Sequence, residues 1–249
     1  MVDTHCHLFS QYYSSMDDLI SKIKEAGIKK IIVNGCDMDS NIEVLQLVKK
    51  YDCVYGALGF HPTELVGMDE SYLEWLDMHV MDDKIVAVGE IGLDYHYDDT
   101  DKIIQTEYFK KQLSIAEKHN KPVIIHTRDA IQDTYDIVSE YNVVGSVHCF
   151  SGSVEMAKQF IKLGFFIGVG GICTYKNAKN ILNVIKNIGL EYILLETDSP
   201  YLSPEGKRSE INTPCNIPLI LKKVADIKEV SESYAEEIIS FNVDCLFDF

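Results

Sequence analysis

The sequence predicts an α/β fold of the TIM (β/α)8 barrel type, and three observations carry that expectation. Eight short apolar, largely β-branched runs recur along the chain, helical stretches separate them, and a length of 249 residues suits one such barrel. The runs are MVDTHCH at the start, then residues 29–35, 54–61, 85–92, 122–128, 144–150, 165–171 and 192–200. Most are nearly continuous in Val, Ile, Leu and Gly, the pattern of parallel strands covered on both faces. An open doubly wound sheet is the alternative arrangement of the same elements.

Taken in order, the first run places His5 and His7 two residues apart, on one face only if the backbone is extended. After the second run, residues 37–50 open on Asp37 and carry Ile42, Leu45 and Val48 at helical spacing. After the fourth, residues 100–120 form a long amphipathic stretch that stops at His119-Asn120 before Pro122. Residues 129–141 and 153–164 read as the next two helices, the second closing on Gly164. The tail from 214 to 249 reads as closing helices. No linker, repeat or low-complexity segment divides the chain, so residues 1–249 are expected to form a single domain.

Composition narrows the function classes. Hydrophobic residues make up 46% and charged residues 25%, and no apolar run is long enough to span a bilayer. No basic-then-apolar leader precedes His5, so the expected location is cytoplasmic. The seven cysteines (Cys6, Cys36, Cys53, Cys149, Cys173, Cys215 and Cys245) are scattered singly without a C-x-x-C pair, which predicts reduced, mostly buried thiols. A net charge of −16 gives no general attraction for nucleic acid. A phosphate-bearing substrate must therefore be held locally, by metal ions or a small basic loop. The acidic pairs Asp98-Asp99 and Glu236-Glu237 read as solvated helix ends and faces.

The chemistry lies in where ionisable residues fall on this map. Of eight histidines, His5, His7, His61, His126 and His148 end predicted strands, whereas His79, His96 and His119 fall in helices or loops. Glu90 ends the fourth strand and Asp198 the eighth. One histidine at a strand end is ordinarily structural, and Asp198 in TDSP suits a turn. Glu90, between Gly89 and Ile91, is costly to bury without a partner. Together they favour one end of strand after strand, and in a parallel barrel those ends meet on one face.

That set predicts a metal site. Imidazoles and carboxylates suit zinc, manganese, iron or, with more waters, magnesium. Six ligands exceed the need of one tetrahedral ion, whereas two ions roughly 3.5–4 Å apart and sharing a carboxylate would use them all. Glu90 is the natural bridge, with His5, His7 and Asp198 on one ion and His126 and His148 on the other. Asp198 also suits the general base that takes a proton from activated water. Arg128 shares the strand face of His126 and is expected to meet either a phosphate or a ligating carboxylate. Tyr175 and Tyr201 suit either base stacking or surface packing.

The ordered motifs DTHCHL, GFHP, VGEIGLDY, IIHTRDA, HCFSG and ETDSPYL resemble the TatD family of metal-dependent deoxyribonucleases, in the metallo-dependent hydrolase superfamily. The resemblance runs from Val2 to about Pro214. It implies a TIM barrel that hydrolyses phosphodiester bonds of DNA, with Mg2+ commonly used; the two divalent ions expected above are then Mg2+, Mn2+ or Zn2+, and a monomer is the expected state. It carries the ligand roles onto His5, His7, Glu90, His126, His148 and Asp198, and it turns His61 toward the substrate phosphate. The loop GKRSEINTP departs from the family pattern, so Lys207 and Arg208 read equally as phosphate contacts and as a solvated pair. One competing reading is an amidohydrolase-type enzyme that cleaves a C–N or ester bond, since the same barrel hosts both chemistries. Such enzymes often bridge their metals with a carbamylated lysine, where this chain offers Glu90. Another is a silent barrel that binds a partner, against which all six ligands stand.

Overall fold

The computed structural model describes residues 1–97 and 101–249, which leaves Asp98 and Asp99 outside the described residues. Eight parallel strands run in sequence order, each paired with the next: β1 (Val2–Cys6), β2 (Lys30–Asn34), β3 (Val54–Leu58), β4 (Ile85–Asp94), β5 (Val123–Arg128), β6 (Gly145–Val147), β7 (Phe165–Val169) and β8 (Ile193–Leu195). Seven helices alternate with them: α1 (Met16–Glu25), α2 (Met38–Lys50), α3 (Glu70–His79), α4 (Lys102–His119), α5 (Ile131–Val138), α6 (Val154–Lys162) and α7 (Lys179–Asn187). The helices α8 (Ile217–Lys228) and α9 (Glu232–Leu246) close the chain. The result is a TIM barrel.

Local sequence explains most element ends. Asp37 caps α2 by accepting from Ser40 N at 2.7 Å, and Ser153 caps α6 by accepting from Met156 N at 3.2 Å. Asn120 ends α4 in the left-handed region, as the His-Asn-x-Pro sequence predicts. Several ends differ from the expected ranges; β3 stops at Leu58 and β7 at Val169, and β4 runs on to Asp94. Asp129, Cys149 and Asp198 all take positive φ, and each turns the chain out of its element. The α5 helix is therefore shorter than residues 129–141, β6 stops before His148, and β8 stops before Thr197.

Strand residues alternate between two packing layers. Ile31 and Val33 join the main core between strands and helices, whereas Ile32, Ala57, Ala87, Ile124 and Leu194 pack with Val243, Leu246 and Phe247 from the C-terminal end. The C-terminal segment thus plugs the barrel at the starts of its strands, and Phe249 meets Tyr55 there. The opposite end stays open. Glu236 is more than a solvated side chain, since its carboxylate accepts from the N-terminal amine at 3.0 Å. All seven cysteines are free, but only Cys6, Cys53 and Cys173 are buried. No helix among the described residues is long and apolar enough to cross a membrane.

The seam between β1 and β8 has little regular pairing, a single bridge from Cys6 to Ser199. It is held instead by crossed contacts: Asp198 N donates to His5 O at 2.9 Å, and His7 N donates to Ser199 O at 2.6 Å. Beneath them the fully buried Asp3 carboxylate accepts from His5 N at 3.2 Å, Thr197 N at 3.0 Å and Thr197 Oγ1 at 2.5 Å. Replacing Asp3 with Ala leaves these donors without an acceptor. Urea unfolding should show Asp3→Ala destabilised by about 2–4 kcal/mol, whereas Asp3→Asn, which keeps one acceptor oxygen, should lose about 1 kcal/mol or less.

Candidate metal centre

The imidazoles of His5, His7, His61, His126 and His148 and the carboxylates of Glu90, Asp94 and Asp198 line or underlie the open end of the barrel, around a cavity of about 500 Å3. Glu90, at the end of β4, stands at its centre and is only 3% exposed. Its two oxygens face different histidines. His5 Nε2 and His7 Nε2 lie 3.4 and 3.5 Å from Oε2, whereas His148 Nε2 and His126 Nδ1 lie 2.7 and 2.9 Å from Oε1. Asp198, delivered by the seam, puts Oδ1 3.5 Å from His5 Nε2 and 3.4 Å from His7 Nε2. The six residues expected as metal ligands are therefore brought together.

The donor set fits cations. His7 Nδ1 lies 2.9 Å from the carbonyl oxygen of Asn34, which can only accept, so Nδ1 carries the proton. In the neutral ring the Nε2 lone pair then points at two carboxylate oxygens and at His5 Nε2, 3.2 Å away. Lone pairs facing lone pairs in a buried site need positive charge between them. Against burial, Cys36, Asp198 and Glu90 lift His7 well above its ordinary value, so a proton supplies that charge, and a metal ion would supply it in its place. The protonation balance carries the same strain. Burial lowers His5 to about 4, helped by His148. In His148 burial also opposes the charge, but the Glu90 carboxylate outweighs it and lifts the ring to about 9. Burial would push Glu90 up, yet His148, His5 and His61 hold it well below the usual carboxylate range. Asp198 is likewise kept ionised, the pull of His7, His148 and His5 overriding its burial.

His61 joins the same cavity in a different state. Thr63 N donates to its Nδ1 at 3.2 Å, so in the neutral ring Nε2 carries the hydrogen and faces Glu90 Oε1 at 3.6 Å. Burial, with the repulsion of His126, lowers His61 to about 3 and keeps it neutral. It reads as a donor more than as a ligand. Arg128 lines the cavity from the rim with its guanidinium 5.7 Å from the Tyr97 ring. Tyr201 lines it from the other side and bonds Tyr12 through their hydroxyls at 2.8 Å.

The loop after β8 is different. Arg208 pairs with Glu205 at 3.2 Å and stacks on Tyr175 at 3.8 Å, and neither Lys207 nor Arg208 lines the metal cavity. Asn212 is fully buried and ties that loop down, donating to Thr197 O at 2.8 Å and Tyr201 O at 2.6 Å. The remaining histidines pair outside the site, His79 with Asp82, His96 with Asp129 and His119 with Asp77.

Two carboxylates were missed by the sequence reading. Asp94 Oδ2 lies 3.1 Å from His126 Nε2, so β4 grips one imidazole from both sides, Glu90 at one nitrogen and Asp94 at the other. Their i, i+4 spacing on an extended strand was the available signal. Gly92, between them, is paired with His126, and a Cβ there would collide with the His126 carbonyl oxygen. Glu196 is 1% exposed, accepts from Cys149 N and lies 4.0 Å from His148 Nδ1. Burial pushes its carboxyl up to about 8. A Cβ at Gly168 would sit 2.5 Å from Glu196 Oε2, so the glycine makes room for that carboxyl.

With this geometry in view, comparison with known proteins is decisive. Residues 2–248 match the family described as TatD related DNase. The chain belongs to the TatD family. It is 36% identical to the uncharacterized metal-dependent hydrolase YabD of Bacillus subtilis, over 99% of this chain and 98% of that protein. It is 34% identical to the uncharacterized metal-dependent hydrolase MJ1582 of Methanocaldococcus jannaschii, over 99% and 96%. Among solved structures, the TatD homologue YjjV of Escherichia coli K12 superposes with a TM-score of 0.96 at 31% identity, covering 100% of this chain and 98% of that one. This TatD-family chain is therefore a metal-dependent hydrolase, and its outer carboxylates lend themselves to test. Asp94→Ala should weaken metal binding about 10–100-fold in a chelator competition titration, whereas Arg208→Ala should leave it unchanged.

Proposed function

We propose that the protein hydrolyses phosphodiester bonds of DNA, using two divalent ions held on either side of Glu90. The observation that supports the reading is the division of the Glu90 carboxylate, one oxygen toward His5 and His7 and the other toward His126 and His148. Asp198 completes the first set and His61 borders the second. Mg2+, Mn2+ or Zn2+ bound there would make water acidic near neutral pH and offset charge on a phosphoryl oxygen.

The chain's own groups supply the rest. Asp198, kept ionised by His7, His148 and His5, accepts the proton of the attacking water. His61 offers its Nε2 hydrogen to a phosphoryl oxygen, and Arg128 at the rim meets a flanking phosphate through its guanidinium. Such local charge answers the net −16 of the chain. DNA as substrate draws further support from the family description, TatD related DNase. The amide-cleaving reading is weaker because no lysine lines the cavity among the described residues, which leaves nothing to be carbamylated.

Incubating the purified protein with single-stranded and duplex DNA in Mg2+, Mn2+ or Zn2+ tests the reading. Cleavage is expected, with Asp198→Asn slower by about 10²–10⁴-fold at retained fold. DNA left intact under every metal, while amide or lactone substrates are cleaved, would overturn it. Elemental analysis should find two ions per wild-type chain and fewer in Glu90→Gln.

A further inference from the structure

A second hollow opens beside the metal cavity, and the reaction outlined above does not use it. It measures about 420 Å3 and lies between the turn after β6 and the start of α7. The buried side chains of Phe150, Cys173 and Ile181 make an apolar wall, and Ser151, Asn177 and Asn180 border it as exposed polar groups. Among its lining residues the one formal charge is Lys179, itself exposed. Consecutive residues line the two cavities, His148 the first and Cys149 the second. Glu196 braces that step from behind, through Cys149 N and beside His148.

We propose that this hollow takes the nucleobase of the nucleotide next to the scissile phosphate, an assignment that rests on the phosphodiesterase reading. A nucleobase is flat, with apolar faces and an edge of mixed donors and acceptors. Apolar side chains suit the faces, and the two asparagine amides, which both donate and accept, suit the edge. A phosphate group would find no buried cation here, and an alkyl chain would leave the amides without purpose. The hollow is lined by Cys149, the residue that follows the candidate ligand His148, which places a lodged base near the metal cavity.

The test uses esters that share p-nitrophenolate as leaving group: the p-nitrophenyl esters of thymidine 5′-phosphate and thymidine 3′-phosphate, and methyl p-nitrophenyl phosphate, which has no base. Ala178→Phe and Ser151→Trp fill the hollow from opposite walls, and each is checked for circular dichroism and metal content. The ratio of kcat/KM for a thymidine ester to that for the methyl ester should fall about 10-fold or more in whichever variant folds, for at least one of the two thymidine esters. An unchanged ratio for both esters in a folded variant overturns the assignment. If the wild-type enzyme cleaves no ester, the DNA-cleavage assay decides the phosphodiesterase reading separately, and calorimetry with free thymidine decides the hollow. Binding to wild type that Ala178→Phe abolishes supports it, and no binding to wild type overturns it.

Discussion

The structure depends on how the first strand meets the last. Seven neighbouring strand pairs form parallel ladders, three of them with a register shift, but β1 and β8 share one bridge, and the Asp3 carboxylate supplies the acceptors that the ladder lacks. The same contacts place chemistry. Asp198 N binds His5 O and His7 N binds Ser199 O, so closing the barrel inserts Asp198 between the two N-terminal histidines. Asp198 takes a positive φ to do so, a conformation that Asp tolerates better than most side chains. Barrel closure and half of the ligand set are one piece of geometry.

The other half follows from β4. Along an extended strand, Glu90, Gly92 and Asp94 share a face, and the absent side chain of Gly92 lets β5 lie close enough for His126 to be held at both ring nitrogens. Glu90 then stands among imidazoles contributed by β1 and β5 and by the segments that follow β1, β3 and β6. Its ionisation against the cost of burial is a collective effect, since His148, His5 and His61 all act on one carboxylate. An acidic protein thereby concentrates cation affinity in one cavity while its outer surface stays negative.

Much of this is legible in the sequence, for physical reasons. The β-branched runs mark all eight strands because a two-sided buried strand has few other ways to be composed. The six candidate ligands stand out because ionisable side chains at successive strand ends demand a common partner. Asp94 and Glu196 do not stand out. Each touches a histidine from a different strand, and only the folded register makes the contact. The early ends of β6 and β8 are also hidden, since the positive φ of Cys149 and Asp198 answers to neighbours far along the chain. Arg208 looks like a phosphate contact in sequence, and only its ion pair with Glu205 and its stacking on Tyr175 show where it is engaged. Asn212, in the GKRSEINTP stretch, is the buried pin of the loop that follows Asp198, which only its contacts in the fold reveal.

The seam has a thermodynamic side. Asp3 and Thr197 are 194 residues apart, and His5 and Asp198 lie beside them. A cation shared by His5 and Asp198 would act as a reversible cross-link between the first and last strands of the barrel, closing a loop that takes in most of the chain. Because such a site exists only when the barrel is shut, occupancy and closure belong to one linked equilibrium, in which free metal concentration sets how tightly the molecule is zipped. The ion that equips the enzyme for chemistry would then also serve as its clasp.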